Sequence, residues 1–360
     1  MKVRMIYHTP ELHKLVEAVA RVCYQSYHKV LPDSHTMIKG IMNKGHVSVA
    51  SSGNMVFNVS LENADLQELL FLIESLILFK EVNNFIRWST PANKGAKEGR
   101  VLISMNMLTL LDIVKAKESG NMVFPEQVID GILEEVKKVP YLHWFLNSSV
   151  EVPPSDNPYI KFPSLGRPVI LSQDYTALKE LGLSDYELDI HATVTVDFLT
   201  DRASGLQSWR HADMVGGCEL SQRYVDRSNS GFRPMVGIYE YPEGLKDYAE
   251  REGLTMKEAK EHYDAVIQTL HNHNMETMSL YSDVMDTLEE LGVSRKRAKE
   301  IARSILPNAT ITRIIQCRPL RQWKHFFDLR ATVHAQPEIR EDARSMMGAF
   351  EKEGIVIGRD

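Results

Sequence analysis

Residues 207–224, QSWRHADMVGGCELSQRY, gather groups that can hold an anion and a planar polar ring. Arg210, His211 and Arg223 surround a Gly-Gly pair and an acid and hydroxyl, Glu219 and Ser221. Arginine presents a permanently charged planar fork suited to phosphates and carbonyl edges. Gly216 and Gly217 are expected to form a turn that lets the backbone approach a ligand closely. The stretch carries too many polar side chains for a core segment, so it reads as an anion-and-base binding loop, with a solvated, charged helix end as the plain alternative. Ser221 has no His or Asp placed by sequence to activate it, which favours a ligand contact over a nucleophile.

Something must position this loop. Residues 2–7 read as a strand, and Pro10-Glu11 opens a helix with Leu15, Val19 and Val22 at helical spacing. A second helix, 36–44, stops at Gly45. Residues 66–79 and 101–114 are apolar enough to be buried helices, and such stripes are packing surfaces. The Pro- and aromatic-bearing stretch 152–168 reads as an ordered connector, and residues 191–198, HATVTVDF, as a strand. Residues 250–291 are helical up to Gly292, and Ser294 caps a further helix, 295–305, which Pro307 ends. On a helix over 320–330, Arg321, His325 and Phe326 fall four or five residues apart, with Arg330 two to three turns along. Two cations and an imidazole on one stripe of a buried helix call for an anionic ligand.

At 360 residues and 43% hydrophobic content the chain can bury a large core, as two domains or one enlarged one. A net charge of -6 argues against a nucleic-acid coat or a polybasic membrane surface. Cys23, Cys218 and Cys317 are too far apart for a zinc spacing and fit reduced thiols in a cytoplasm. Without an apolar run of about 18 residues, a soluble cytoplasmic protein is expected.

Several segments resemble the flavin-dependent thymidylate synthases. That family's signature, RHRxxSxNxxSxR, is matched here by Arg210, His211, Ser221 and Arg223, with Glu219, Leu220 and Gln222 between and Tyr224 after. Ala212 replaces its second Arg, its first Ser and its Asn are absent, and the span is one residue longer. Ala20-Arg21-Val22-Cys23-Tyr24 and Gly45-His46-Val47-Ser48-Val49 resemble the family's opening, and Ala302-Arg303-Ser304-Ile305-Leu306-Pro307 its AR..LP segment. Residues 320–340 resemble NxRxxxHFxxLRxxxxAQxEIR, with Pro319 in place of the Asn. A Glu-His pair should follow Ser48. Ser51 and Ser52 stand there, and only at Ile190-His191 does a comparable His precede a strand.

The resemblance implies an α/β (α+β) fold with a central, mainly antiparallel sheet flanked by helices. Residues 1–51 and 191–345 would form the catalytic domain, and 52–190 a helical and irregular insertion. It implies transfer of a one-carbon unit from methylenetetrahydrofolate to C5 of dUMP, with FAD as redox carrier and NADPH as reductant. Arg223 and Arg330 would hold the pyrimidine and, with Ser221, form the reacting centre. Gln207, Arg210, Glu219, Leu220, Ser221, Gln222 and Arg303 would complete the nucleotide shell. Cys23, His46, Ser48, His191, Arg210, His211, Arg321 and His325 would lie beside FAD, with no metal. The assembly implied is a homotetramer with sites between subunits, in which Arg210→Ala and Arg330→Ala chains would complement one another. With Ala212 for Arg, weak flavin binding is expected unless another cation, such as Arg87, compensates. A pyrimidine nucleotide hydroxymethylase, a UMP methylase and an inactive nucleotide-binding paralogue remain as alternatives.

Overall fold

The computed structural model describes residues 1–26, 34–43, 46–61, 66–83, 85–90, 99–120, 125–147, 157–210, 216–238 and 240–358. Two four-stranded antiparallel sheets, not one central sheet, organise it. The first contains β1 (Lys2–His8), β2 (Met55–Leu61), β3 (Arg87–Ser89) and β4 (Gly99–Met105), in the order β1-β2-β4-β3. The second contains β5 (Val169–Gln173), β6 (Thr193–Asp201), β7 (Gly216–Glu219) and β8 (Ile311–Pro319), in the order β5-β6-β8-β7. The first sheet draws β2, β3 and β4, and the second draws β5, from 52–190, a segment expected to be helical and irregular. Met55, Phe57 and Val59 face one core while Val56 faces the other, as a period of two requires.

Residues 101–114, expected as one helix, are divided between β4 and a helix, Met107–Glu118. The break is at Asn106, whose side chain caps the helix by accepting from Thr109 N at 2.9 Å. The apolar helix Leu66–Val82 buries only part of its stripe: Leu72, Leu76 and Phe79 are inside, whereas Leu70, Phe71, Ile77 and Leu78 are exposed.

β6 and β8 form the spine of the second sheet, in register from Thr193↔Pro319 to Asp201↔Ile311. Both are buried on both faces, so the polar residues among them must find partners. Asp197 accepts from Arg313 Nε at 2.9 Å and Nη2 at 2.5 Å. The helix Leu320–Arg330 continues directly from β8 and turns Trp323, Phe326 and Phe327 inward, with Trp323 Nε1 donating to Val194 O at 2.9 Å.

The glycine pair works differently from the expected ligand turn. Gly216 and Gly217 lie in β7, and a Cβ on Gly216 would meet Ser51 O at 2.2 Å. Gly217 has φ +130°, and its Cβ would meet Ile315 O at 2.0 Å. They allow chain to pack on chain: Gly217 N donates to Ser51 Oγ at 3.1 Å, fastening the 3₁₀ turn Val47–Ser51 beside β7. That contact sets the site described next.

Candidate functional site

Three separate parts of the sequence meet at a cavity of about 310 Å³. The helix Leu12–Tyr24 ends there, reversed by Gln25 at φ 47°, and offers Cys23 and Tyr24. The turn beside β7 offers His46 and Ser48. The chain leaving β7 supplies Glu219, Leu220, Ser221, Gln222, Arg223 and Tyr224, and Arg303 and Arg202 close the rim. Backbone bonds fix this junction: Ser221 N donates to Cys23 O at 3.1 Å and Leu220 N to Arg313 O at 2.9 Å. A volume of this size suits a small ligand.

The lining has an aromatic side and a cationic side. Tyr24 and Tyr224 have ring centroids 5.3 Å apart, and His46 stands nearly perpendicular to both, at 6.4 Å and 6.1 Å. The Arg223 guanidinium lies 5.5 Å from the Tyr224 centroid and the Lys296 ammonium 5.2 Å from it. Burial, then the neighbouring Cys23, raises the Tyr24 phenol, keeping it protonated. Glu219 is already engaged, accepting from Arg202 Nη1 at 2.5 Å and Thr312 Oγ1 at 3.0 Å. It holds Arg202 at the rim instead of offering a free base. Sequence reading missed Arg202, Tyr24 and this pairing, since residues 202, 219 and 312 share no local pattern. Burial also raises the Cys218 thiol, followed by its contact with Cys23.

Ser221 Oγ accepts from Arg223 N at 3.3 Å, within its own turn. Ser221→Ala should therefore retain most turnover, because the hydroxyl shapes a loop whose backbone bonds persist. Complete loss of turnover with normal nucleotide binding would make Ser221 a nucleophile.

The remaining expected residues lie elsewhere. Gln207 Nε2 donates to Gln336 Oε1 at 2.6 Å, and Arg330 Nη1 donates to Gln207 Oε1 at 3.4 Å. Arg210 is exposed at the end of the helix Arg202–Trp209, three residues after Gln207. Arg321 and His325 are exposed on the outer side of the 320–330 helix, not on the buried stripe with Phe326. None of these five lines the 310 Å³ cavity. His211 and Ala212 lie outside the described residues, as does Gly45.

His191 is not brought to either group. It ends the helix Asp185–His191, has no exposed surface, and both ring nitrogens are engaged, Nδ1 with Ser104 Oγ at 2.9 Å and Nε2 with Ser89 Oγ at 2.8 Å. Burial, then the charges of Arg87 and Arg100, pushes its pKa down to about 3. Arg87 does not supply a compensating cation: it is buried, donating to Asn54 Oδ1 at 2.5 Å and Ile190 O at 3.1 Å. A larger groove of about 580 Å³, between residues 161–170 and the helix Pro337–Lys352, collects no expected site residue. No group of His, Cys, Asp and Glu suited to a metal occurs among the described residues, and no helix of theirs is long and apolar enough to cross a membrane.

Residues 190–353 match the model of the family described as thymidylate synthase complementing protein. A flavin-dependent thymidylate synthase of Mycobacterium sp. (strain KMS) is 37% identical over 122 residues, 34% of this chain and 44% of the relative. One of Mycobacterium tuberculosis (strain ATCC 25177 / H37Ra) is 34% identical over 122 residues, 34% of this chain and 43% of the relative. The match thus spans less than half the length of these curated relatives. Over this stretch the resemblance read from the motifs holds.

Proposed function

We propose that this chain, whose residues 190–353 match the thymidylate synthase complementing protein family, transfers a one-carbon unit from methylenetetrahydrofolate to C5 of dUMP, with FAD as redox carrier and NADPH as reductant. The observation that carries the reading is the cavity itself: Cys23, His46 and Ser48 meet Glu219–Tyr224 and Arg303, although Ser48 and Glu219 are 171 positions apart. Thymidylate synthesis is the activity named for the relatives.

The donor set fits a pyrimidine nucleotide. Arg303 and Arg202 present charge for a phosphate at the rim, and Tyr24 and Tyr224 present faces for a planar base. Arg223, over Tyr224, is within the same lining and can donate to a base carbonyl, where charge develops as C5 attacks an electrophile. Flavin, when bound, would carry the hydride. The residues expected beside it are divided: Cys23, His46 and Ser48 are at the cavity, and Arg210, Arg321 and His325 are on the two helices that carry the Gln207–Arg330 cluster. A second copy supplying that cluster would complete the site, as a homotetramer with shared sites requires. In this reading residues 1–51 and 191–345 act as the catalytic unit of a flavin-dependent thymidylate synthase-like fold in a soluble, cytoplasmic protein, and 52–190 is built into it.

Incubating the full chain with FAD, NADPH, methylenetetrahydrofolate and dUMP should give dTMP, identified by the mass of the nucleotide. A hydroxymethylated nucleotide, or methylation of UMP instead, would replace this reading with its nearest alternatives. Binding of dUMP without turnover would mark an inactive paralogue.

A further inference from the structure

Arg318 is the least compensated cation among the described residues. It lies on β8 with no exposed surface, its guanidinium 4.8 Å from the Trp323 ring centroid and 4.9 Å from that of Phe326. Nη2 donates to Ser208 O and Gln316 Oε1, both at 2.6 Å. Nε and Nη1 have no acceptor. No carboxylate bridges it among the described residues, which contrasts with buried Arg21, Arg233 and Arg313, each paired with an acid. Burial alone pulls its pKa down to about 9.

A buried, unpaired cation with idle N–H bonds is costly, and a chain selected only for stability would replace it with an apolar side chain. Stacking on two aromatic rings offsets part of that cost but satisfies none of the N–H groups. The missing partner is an anion. Its surroundings indicate from which side one would come. Ser208, its acceptor, lies between Gln207 and Arg210, and Phe326, beneath it, follows His325 and precedes Arg330 by one turn. Arg318 is thus tied through Ser208 to the helix that ends at exposed Arg210, and stacked on the helix that carries exposed Arg321 and His325.

We propose that Arg318 is an anion-binding position, whose Nε–H and Nη1–H bonds take phosphate oxygen from a ligand that enters over Arg210. Its acceptor Ser208 is followed along the chain by half-buried Trp209 and exposed Arg210, so binding from that side entails a local parting of the chain there. The inference needs only a phosphate-bearing ligand and does not depend on methyl transfer.

The test is Arg318→Met in the full chain, read by calorimetric affinity for inorganic pyrophosphate, FAD and dUMP and by the melting temperature without ligand. Removing an unpaired buried charge should leave the ligand-free melting temperature unchanged or raise it, while affinity for pyrophosphate falls about ten- to a hundredfold. Parallel weakening of FAD with dUMP unaffected would assign the anion to a dinucleotide pyrophosphate; weakening of dUMP would assign it to the nucleotide phosphate. Loss for pyrophosphate alone leaves a site for free phosphate. Unchanged affinity for all three, a parent chain that binds none of them, or a variant that melts lower or does not fold would overturn the proposal. The last outcome would make Arg318 a structural strut between Trp323 and Phe326. A failure to make dTMP would leave these outcomes unaltered.

Discussion

Chains carrying Arg223→Ala and chains carrying Arg330→Ala, each nearly inactive alone, should regain turnover when mixed and reassembled. The expectation rests on where the two cations sit. Arg223 lines the cavity built with Cys23, His46 and Ser48, whereas Arg330 donates to Gln207 in the other cluster. If one complete site needs both clusters and takes them from two copies, a hybrid contains some sites in which both are intact. Each single substitution removes a charge-assisted contact to ligand, a loss of about 2–4 kcal/mol, or roughly thirty- to a thousandfold. The recovery should therefore stand well above either parent.

Arg210→Ala mixed with Arg330→Ala, the pair suggested by sequence alone, should not recover. Arg210 follows Gln207 at one helix end, and Gln207 is bonded to Arg330, so both substitutions damage the same cluster. A mixture of the Arg223 and Arg330 variants no more active than its components, or light scattering that shows only monomer, would sink shared sites. Activity in such a monomer would require both clusters to serve one ligand within a single chain.

The difference between those two pairings shows what the sequence could convey. Local periodicity placed the strand at 2–7 and the helix after Pro10 correctly, but it put Phe326 on one stripe with Arg321 and His325, which the fold separates by turning Phe326 inward and the other two outward. The cavity's cast of Cys23, His46, Ser48, Glu219–Arg223 and Arg303 was also readable, from motifs in order. Unreadable were the contacts between segments. Nothing local says that Glu219 is occupied by Arg202, or that Gly216 is small to admit Ser51 and not a ligand. The strands within 52–190 were hidden for a related reason: 101–105 is apolar at every position except Ser104, so it lacks the alternation that separates a strand from a buried helix. His191 resembled a cofactor contact because its two partners, Ser89 and Ser104, are 102 and 87 residues away.

That buried imidazole gives the largest expected effect on stability. In the unfolded chain a histidine titrates near 6.5, while in the fold burial and the charges of Arg87 and Arg100 hold His191 to about 3. Its folded pKa is depressed, so between about 3 and 6.5 the unfolded state binds the extra proton. Stability from this group is present above the unfolded value and is lost as pH falls through that window. Between pH 7 and pH 4 the loss should be about 3 kcal/mol, a large part of a typical folding free energy. Asp342 opposes it: burial raises its carboxyl to about 6, so that group loses stability as pH rises from about 4 to 6. The wild-type profile is therefore a sum of opposed slopes, and only a difference isolates the histidine. His191→Gln supplies it, since an amide can donate to and accept from Ser89 and Ser104 without gaining a proton. Urea melts of both proteins at pH 7 and pH 4 should show the variant equal to or below wild type at pH 7. By pH 4 it should have gained about 3 kcal/mol on wild type. A stability difference that stays constant over that range would mean that His191 carries its proton in the fold, and that the pair of serine hydroxyls accepts from a buried imidazolium.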